Sequence, residues 1–296
     1  MWIIKNKKIF LTLSSVLIGL SLIFIFTFKL KLSIDFTGGA QTEMQYAMRP
    51  TTDEVRTVLS SVGISDPVIQ MIGENTLSIK TKALTEAERQ TMTTALSQIG
   101  TEGVVENFTS IGPSVGKELV KKSLLAIFLV SLTIVLFIAY AFRHVSRPVS
   151  SWKYGLIAIV TLAHDIIIPS GVFALLGKYG NAEVDTLFVV ALLTVLGLSV
   201  SDTIVVFDRI RENLRKSKNE LFENVVGKSL QETFGRSINT SLTVIATLVA
   251  LYFFGPDTTK NFSLVLIVGM FMGTYSSIFV ASPLLTLVEK FQRNKK

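Results

Sequence analysis

An acid stands inside the fourth of the chain's long apolar runs. Asp202 is flanked by Ser199, Ser201 and Thr203 within residues 186–207. A carboxylate in a segment long enough to span a bilayer is costly, and so marks a functional site by default. Counted from the charged end of the run it lies about four to six residues in, about 6–9 Å below the edge at 1.5 Å per residue. Ser199 is one turn behind it on the same face, and Thr203 is adjacent. A group so placed can exchange a proton. The plainer reading is an interfacial Asp that reaches water or bonds to backbone. Arg236 opens the fifth run, and Asn239, Thr243 and Thr247 follow at spacings of three, four and four, one continuous polar stripe. A long Arg at a helix end ordinarily snorkels. If the fourth and fifth runs are antiparallel neighbours, however, Arg236 and Asp202 enter from the same side. The guanidinium can then alternate between carboxylate and water as Asp202 gains and loses its proton. Asp202 and Arg236 are the proton-relay candidates.

His164 and Asp165 lie near the middle of the third run. A metal or hydrolase reading lacks partners. The chain has two histidines and no cysteine, and His144 falls in a loop, so a ligand set is missing. No metal and no cofactor is expected. An intramembrane aspartyl protease needs two acids on facing helices. Asp165 and Asp202 meet that count, but Ser201 stands where such proteases have Gly, and two lone acids are a weak catalytic signature. No catalytic residue is assigned, and the chain is read as a non-enzyme. A polar clasp between helices remains, or a second polar path of Asp165, His164, Ser199, Thr203, Asn239 and Thr243. Pro169 is expected to kink the helix nearby.

One further stretch looks like chemistry without fitting it. Residues 111–118 read Ile-Gly-Pro-Ser-Val-Gly-Lys-Glu. A phosphate loop needs four residues between its glycines, not three, and Ser or Thr where Glu118 stands. A joint that sets the angle between a domain and a helix fits better. Gly38-Gly39 permits a second sharp turn. Gly38, Gly39, Gly112, Pro113 and Gly116 are therefore the hinge candidates.

These residues need elements to carry them. Of 296 residues, 49% are apolar, and the mean hydropathy of +0.52 is high for a soluble protein. A span needs roughly 20 mostly apolar residues, and six segments qualify: 9–28, 123–142, 154–176, 186–207, 237–254 and 262–288. The first follows Lys5, Lys7 and Lys8 but no small-x-small cleavage site, so it reads as a retained helix. The N-terminal tail, 143–153, 208–236 and the C-terminal tail hold 17 of the 29 lysines and arginines, and the two short opposite loops hold only Lys178 and Lys260. That asymmetry predicts cytoplasmic termini. Segment 30–121 is then outside. Its 8 basic and 11 acidic residues give no basic face for a nucleic acid.

Within that segment, alternation predicts strands at 40–46, 68–72, 77–81 and 104–111. Thr51 or Thr52 caps one helix, with Val55, Val58, Leu59 and Val62 on its apolar face. Thr85 opens another, with Ala95, Leu96 and Ile99 inward. The order β-α-β-β-α-β is the ferredoxin-like split motif. The fold class expected is thus an α-helical polytopic membrane protein of six transmembrane helices, with an inserted α+β ferredoxin-like extracytoplasmic domain between helices one and two. Its parts are 1–29, the domain 30–121, and a five-helix bundle 122–296 with a cytoplasmic loop at 208–236. That loop reads as a charged extension of the fourth helix followed by an amphipathic segment of Leu221, Phe222, Val225, Val226, Leu230 and Phe234, expected along the interface. Gly269-x-x-x-Gly273 in the sixth run allows close helix approach.

Asp35-Phe36-Thr37-Gly38-Gly39, the stretch Ile111–Gly116, His164-Asp165 and above all 201–213, Ser-Asp-Thr-Ile-Val-Val-Phe-Asp-Arg-Ile-Arg-Glu-Asn, resemble the signatures of the bacterial SecF family of protein translocase subunits. The likeness runs from the first helix to the last. SecF belongs to the SecD/SecF family in the resistance-nodulation-division superfamily. The resemblance implies a heterodimer with SecD in the bacterial plasma (inner) membrane. It implies association with the SecYEG channel and its SecA-driven preprotein, and leaves room for small membrane accessory subunits. It implies use of the proton-motive force in late-stage translocation, with Asp202 and Arg236 as the relay residues. A half-exporter of a small molecule or lipid from the same superfamily is the rival, although 90 residues look too few for its external pocket. A purely structural scaffold is the third alternative.

Overall fold

In chain order the computed structural model runs α1 (Trp2–Lys5), α2 (Lys7–Phe28), α3 (Ile34–Thr37), β1 (Gly39–Gln45), α4 (Thr52–Ser61), β2 (Val68–Ile72), β3 (Thr76–Thr81), α5 (Glu86–Ser97) and β4 (Val104–Ile111). There follow α6 (Pro113–Ala141), α7 (Ser151–Tyr179), α8 (Thr186–Lys216), α9 (Phe222–Phe254) and α10 (Asp257–Ser276). A π turn (Ser277–Ala281) and α11 (Ser282–Arg293) close the chain. The structure describes residues 2–101, 103–143, 149–180, 182–216 and 220–293, so His144 lies outside the described residues. Two compact units emerge: Leu32–Leu124, and Met1–Lys31 with Leu125–Lys296.

The smaller unit is an antiparallel four-stranded sheet in the order β2-β3-β1-β4. The strands lie where alternation placed them, to within one residue. Its core is Met44, Tyr46, Val55, Leu59, Leu77, Ile79, Met92 and Leu96. Tyr46 donates to the Leu96 carbonyl at 3.1 Å, and burial pushes its phenol up to about 12, so it remains a donor. Thr51 and Thr85 each close a capping box, with Glu54 and Glu88. Those hydrogen bonds hold both exposed glutamates below the ordinary value of 4.5. The folded carboxylates thus titrate below the unfolded ones. Their contribution is present at neutral pH and disappears as pH falls below about 4.5. Thermal melts should drop between pH 7 and pH 3, and by less in Glu54→Gln/Glu88→Gln.

The glycine motifs meet in this unit. Gly38 has φ +75°, and a Cβ on it would lie 2.7 Å from Pro113 Cα. A Cβ on Gly116 would lie 2.8 Å from the Phe36 carbonyl oxygen, and one on Gly39 2.6 Å from that of Thr81. Backbone therefore presses on backbone where β1 begins and where α6 begins. Gly38→Ala combines left-handed strain with a clash and should destabilise by about 2 kcal/mol or more. A lower melting temperature of the purified chain would register it.

Among the described residues six helices are long and apolar enough to cross a membrane: Lys7–Phe28, Pro113–Ala141, Trp152–Tyr179, Thr186–Lys216, Phe222–Phe254 and Asp257–Arg293. Close approaches are set by small residues. Gly171 of α7 lies on Ser21 of α2. Gly269 and Gly273 of α10 lie on Val195 and Ser199 of α8, where a Cβ would come within 2.2 and 2.8 Å. The Gly-x-x-x-Gly motif thus seats α10 beside the helix that carries Asp202.

Two expectations need correcting. Residues 208–216 extend α8, as the sequence predicts, but the amphipathic segment forms the first turns of the 33-residue α9 rather than a separate interfacial helix. Charge does not break a helix: Arg, Lys and Glu are good formers. The apolar face of that segment, Phe222, Val226 and Leu230, joins Phe207 and Ile210 of α8 in one cluster. The sixth span is also not one regular helix. Pro283 lacks an N–H and crowds the carbonyl four residues back, and the π turn lies immediately before it.

Candidate functional site

Asp202 is half-buried on α8. One of its oxygens, Oδ1, accepts a hydrogen bond from Ser237 Oγ of α9. The other, Oδ2, is buried without a partner among the described residues. The sequence reading placed Arg236 opposite Asp202. The structure turns Arg236 outward, exposed, with no ion pair within 4.0 Å among the described residues, and brings its neighbour Ser237 to the carboxylate instead. Arg236 lines an open cavity at this end of the helix pair. Asn239, Thr243 and Thr247 share its exposed face, and the two threonine hydroxyls bond back to their own helix, at 2.8 and 3.1 Å. The inward stripe of α9 is Thr233, Ser237 and Ser241, all buried, with Ser241 bonded to Thr274 of α10. One residue of offset is 100° around a helix, so the two stripes face different ways.

His164, Asp165, Ser199 and Thr203 form a second, deeper group. His164 and Asp165 are fully buried. Asp165 Oδ2 accepts from Ser199 Oγ of α8 at 2.5 Å and from Ser276 Oγ of α10 at 2.9 Å. Asp165 Oδ1 lies 2.8 Å from His164 Nδ1. Thr203 Oγ1 and Ser277 Oγ share a bond of 2.7 Å, and Ser277 Oγ also donates to the Gly273 carbonyl at 3.0 Å. One buried carboxylate thus ties α7 to α8 and α10, next to a π turn, a feature frequent at functional sites. The six residues of the expected secondary path therefore divide: four join this cluster, while Asn239 and Thr243 do not. Ser237, Ser276 and Ser277 were missed. The i, i+4 run of Thr233, Ser237 and Ser241, and the serines ahead of Pro283, were the signals available.

The charged end of the site is built from the last turns of α8 and the first of α9. Arg209 Nε donates to Glu232 Oε2 at 2.6 Å and its Nη1 to Glu212 Oε2 at 2.5 Å. Asn213 donates to the same Glu232 oxygen at 2.7 Å. An open cavity of about 310 Å³ is lined by Val205, Asp208, Arg209, Glu212, Glu232, Thr233 and Arg236. Among the described residues no group of three or more His, Asp and Glu side chains could hold a metal ion. What the site offers is acid–base chemistry: one half-exposed carboxylate, one buried carboxylate–imidazole pair, and hydroxyls.

Residues 91–291 match the family model described as "Protein export membrane protein SecD/SecF, C-terminal", and residues 23–48 match the "SecD/SecF GG Motif". The chain is 43% identical to protein translocase subunit SecF of Thermobaculum terrenum, covering 96% of this chain and 92% of that one. It is 33% identical to SecDF of Bacillus subtilis, covering 94% of this chain and 37% of that longer one. The crystal structure of SecDF from Thermus thermophilus superposes with a TM-score of 0.85 at 29% identity, over 96% of this chain and 38% of that chain.

Proposed function

This chain belongs to the SecD/SecF family of protein-export membrane proteins, and from that premise we propose that it is an accessory subunit of Sec protein export that works with SecD to couple the proton-motive force to late-stage preprotein translocation. The observation that carries this reading is Asp202. It is a half-buried carboxylate in a spanning helix, with one oxygen bound by Ser237 and the other without a partner. An intramembrane acid of that kind is a group that can load and release a proton. Arg236 adjoins Ser237 and faces outward. Its stripe of Asn239 and Thr243 is then the face offered to SecD, whose homologue shares one chain with the SecF-like part in B. subtilis.

In this reading protonation of Asp202 removes its charge and weakens its hold on Ser237, so that α9 can shift and carry the outward-facing Arg236 to a partner group. Two states that differ in proton affinity are biased by a proton gradient. The β-α-β-β-α-β unit with order β2-β3-β1-β4 is read as a ferredoxin-like domain on the outer side. Gly38, Gly39, Gly112, Pro113 and Gly116 form the joint through which it responds. The concentration of basic residues at the tails and at 208–236 supports cytoplasmic termini. No catalytic role is assigned to any residue.

The test is assembly. The tagged chain should co-purify with SecD and the SecYEG channel from a mild detergent extract. Export into inverted membrane vesicles should lose its stimulation by the chain when an uncoupler is added. A chain that purifies without SecD, or stimulation that an uncoupler leaves intact, would contradict the proposal.

A further inference from the structure

His164 and Asp165 carry an observation that the relay at Asp202 does not use. Asp165 is fully occupied: Ser199 and Ser276 donate to Oδ2, and Oδ1 faces His164 Nδ1. With both hydroxyls donating to the carboxylate, the arrangement that satisfies the pair is Nδ1–H donating to Oδ1. That leaves the Nε2 lone pair of a fully buried imidazole without a partner among the described residues. A buried, unsatisfied acceptor on a titratable ring asks for a functional explanation. A carboxylate that fixes the tautomer of an imidazole and stabilises its charged form is a familiar way of preparing one for proton transfer.

We propose that His164 and Asp165 form a second proton-storing pair, distinct from Asp202, that takes up its proton at Nε2. The proton leaves an O–H bond of hydronium, whose electron pair stays on the oxygen to give water, and the Nε2 lone pair forms the new N–H bond. The pair passes from a carboxylate with neutral imidazole, net charge −1, to a carboxylate–imidazolium pair of net charge zero. Release is the reverse step. The groups facing the pair come from three helices. α10 contributes Tyr275, stacked on the imidazole at 6.0 Å, and Ser276. α8 contributes Ser199, with Asp202 three residues farther along. α2 contributes no charge there: its Phe10 carbonyl and Ser14 engage the Tyr275 hydroxyl. Since Ser199 and Ser276 bind the same Asp165 oxygen, loading the pair alters the hold of α7 on α8 and α10. The position of the helix bearing Asp202 is thereby linked to the charge of the pair.

That link to export rests on the proton-coupled reading above, but the titration does not. The chain has only two histidines, so ¹⁵N-histidine labelling of the full chain in lipid bilayers, in a His144→Gln background, leaves one imidazole to follow. At neutral pH its spectrum should show Nδ1 protonated and Nε2 bare, and acidification should protonate Nε2 with Nδ1–H retained. Asp165→Asn should release the tautomer to Nε2–H or a mixture. An Nε2 already protonated at neutral pH, or one that stays bare to pH 5, would overturn the proposal. His164→Asn keeps a donor for Asp165 but cannot take a second proton. In proteoliposomes with SecD it should slow proton movement about tenfold, and unchanged movement would also overturn the proposal. If Asp202→Asn leaves proton movement intact while His164 titrates as described, the relay reading fails and the pair stands.

Discussion

Asp202→Asn is expected to leave the complex assembled and to reduce the proton-dependent component of export by about a hundredfold, to background. The amide matches the carboxylate in size and can still accept from Ser237, so packing between α8 and α9 survives. What it cannot do is gain and lose a proton. Ser237→Ala should give a smaller effect, since one neutral hydrogen bond is worth about 1 kcal/mol, or about fivefold. Arg236→Ala and Arg236→Lys separate charge from geometry. If the guanidinium acts as a planar fork on a group of SecD, Lys will not restore activity. The check is export into inverted vesicles with and without an uncoupler, alongside co-purification of each variant.

Asp165→Ala should do the opposite: it should damage the fold first. Truncation strands two serine hydroxyls and an imidazole N–H inside the bundle. Ser276 can fall back on the Gly273 carbonyl, which it already approaches at 3.0 Å. The His164 donor has no such alternative among the bonds formed. A loss of about 3 kcal/mol is expected from buried groups left unpaired, seen as a lower melting temperature in detergent and reduced yield. Asp165→Asn keeps the acceptor oxygen and should recover most of that stability. That Asp165 must keep an acceptor oxygen follows from its complete burial.

Much of this was legible in the sequence because it rests on local rules. The six spans, the four strands, the Thr51 and Thr85 caps and Asp202 itself each announce themselves within a few residues. Which face of α9 turns inward did not. Two polar stripes run along that helix, 236-239-243-247 and 233-237-241, and nothing local ranks them. Tertiary packing chose the second, so Ser237 reached Asp202 and Arg236 did not. The same applies to Asp165. Its identity was plain, but the convergence of Ser199 and Ser276 on it depends on Gly269 and Gly273 drawing α10 against α8. The π turn was half-legible, through Pro283. The charged extension of the fourth helix was legible, but not that the amphipathic segment after it opens α9 and that Arg209, Glu212, Asn213 and Glu232 knit the two helices together.

The central claim, that Asp202 carries the proton, is tested most directly by following proton movement in proteoliposomes containing SecYEG, SecA, SecD and this chain. A pH-sensitive dye inside the vesicles would report it, with an imposed gradient and a preprotein in transit. With the lumen imposed as the acidic, extracytoplasmic side, the wild-type chain should let protons leave it and so raise the luminal pH in step with translocation, and the Asp202→Asn complex should not, although it is assembled and still moves preprotein with ATP. An equal rise in luminal pH in the two complexes would contradict the account.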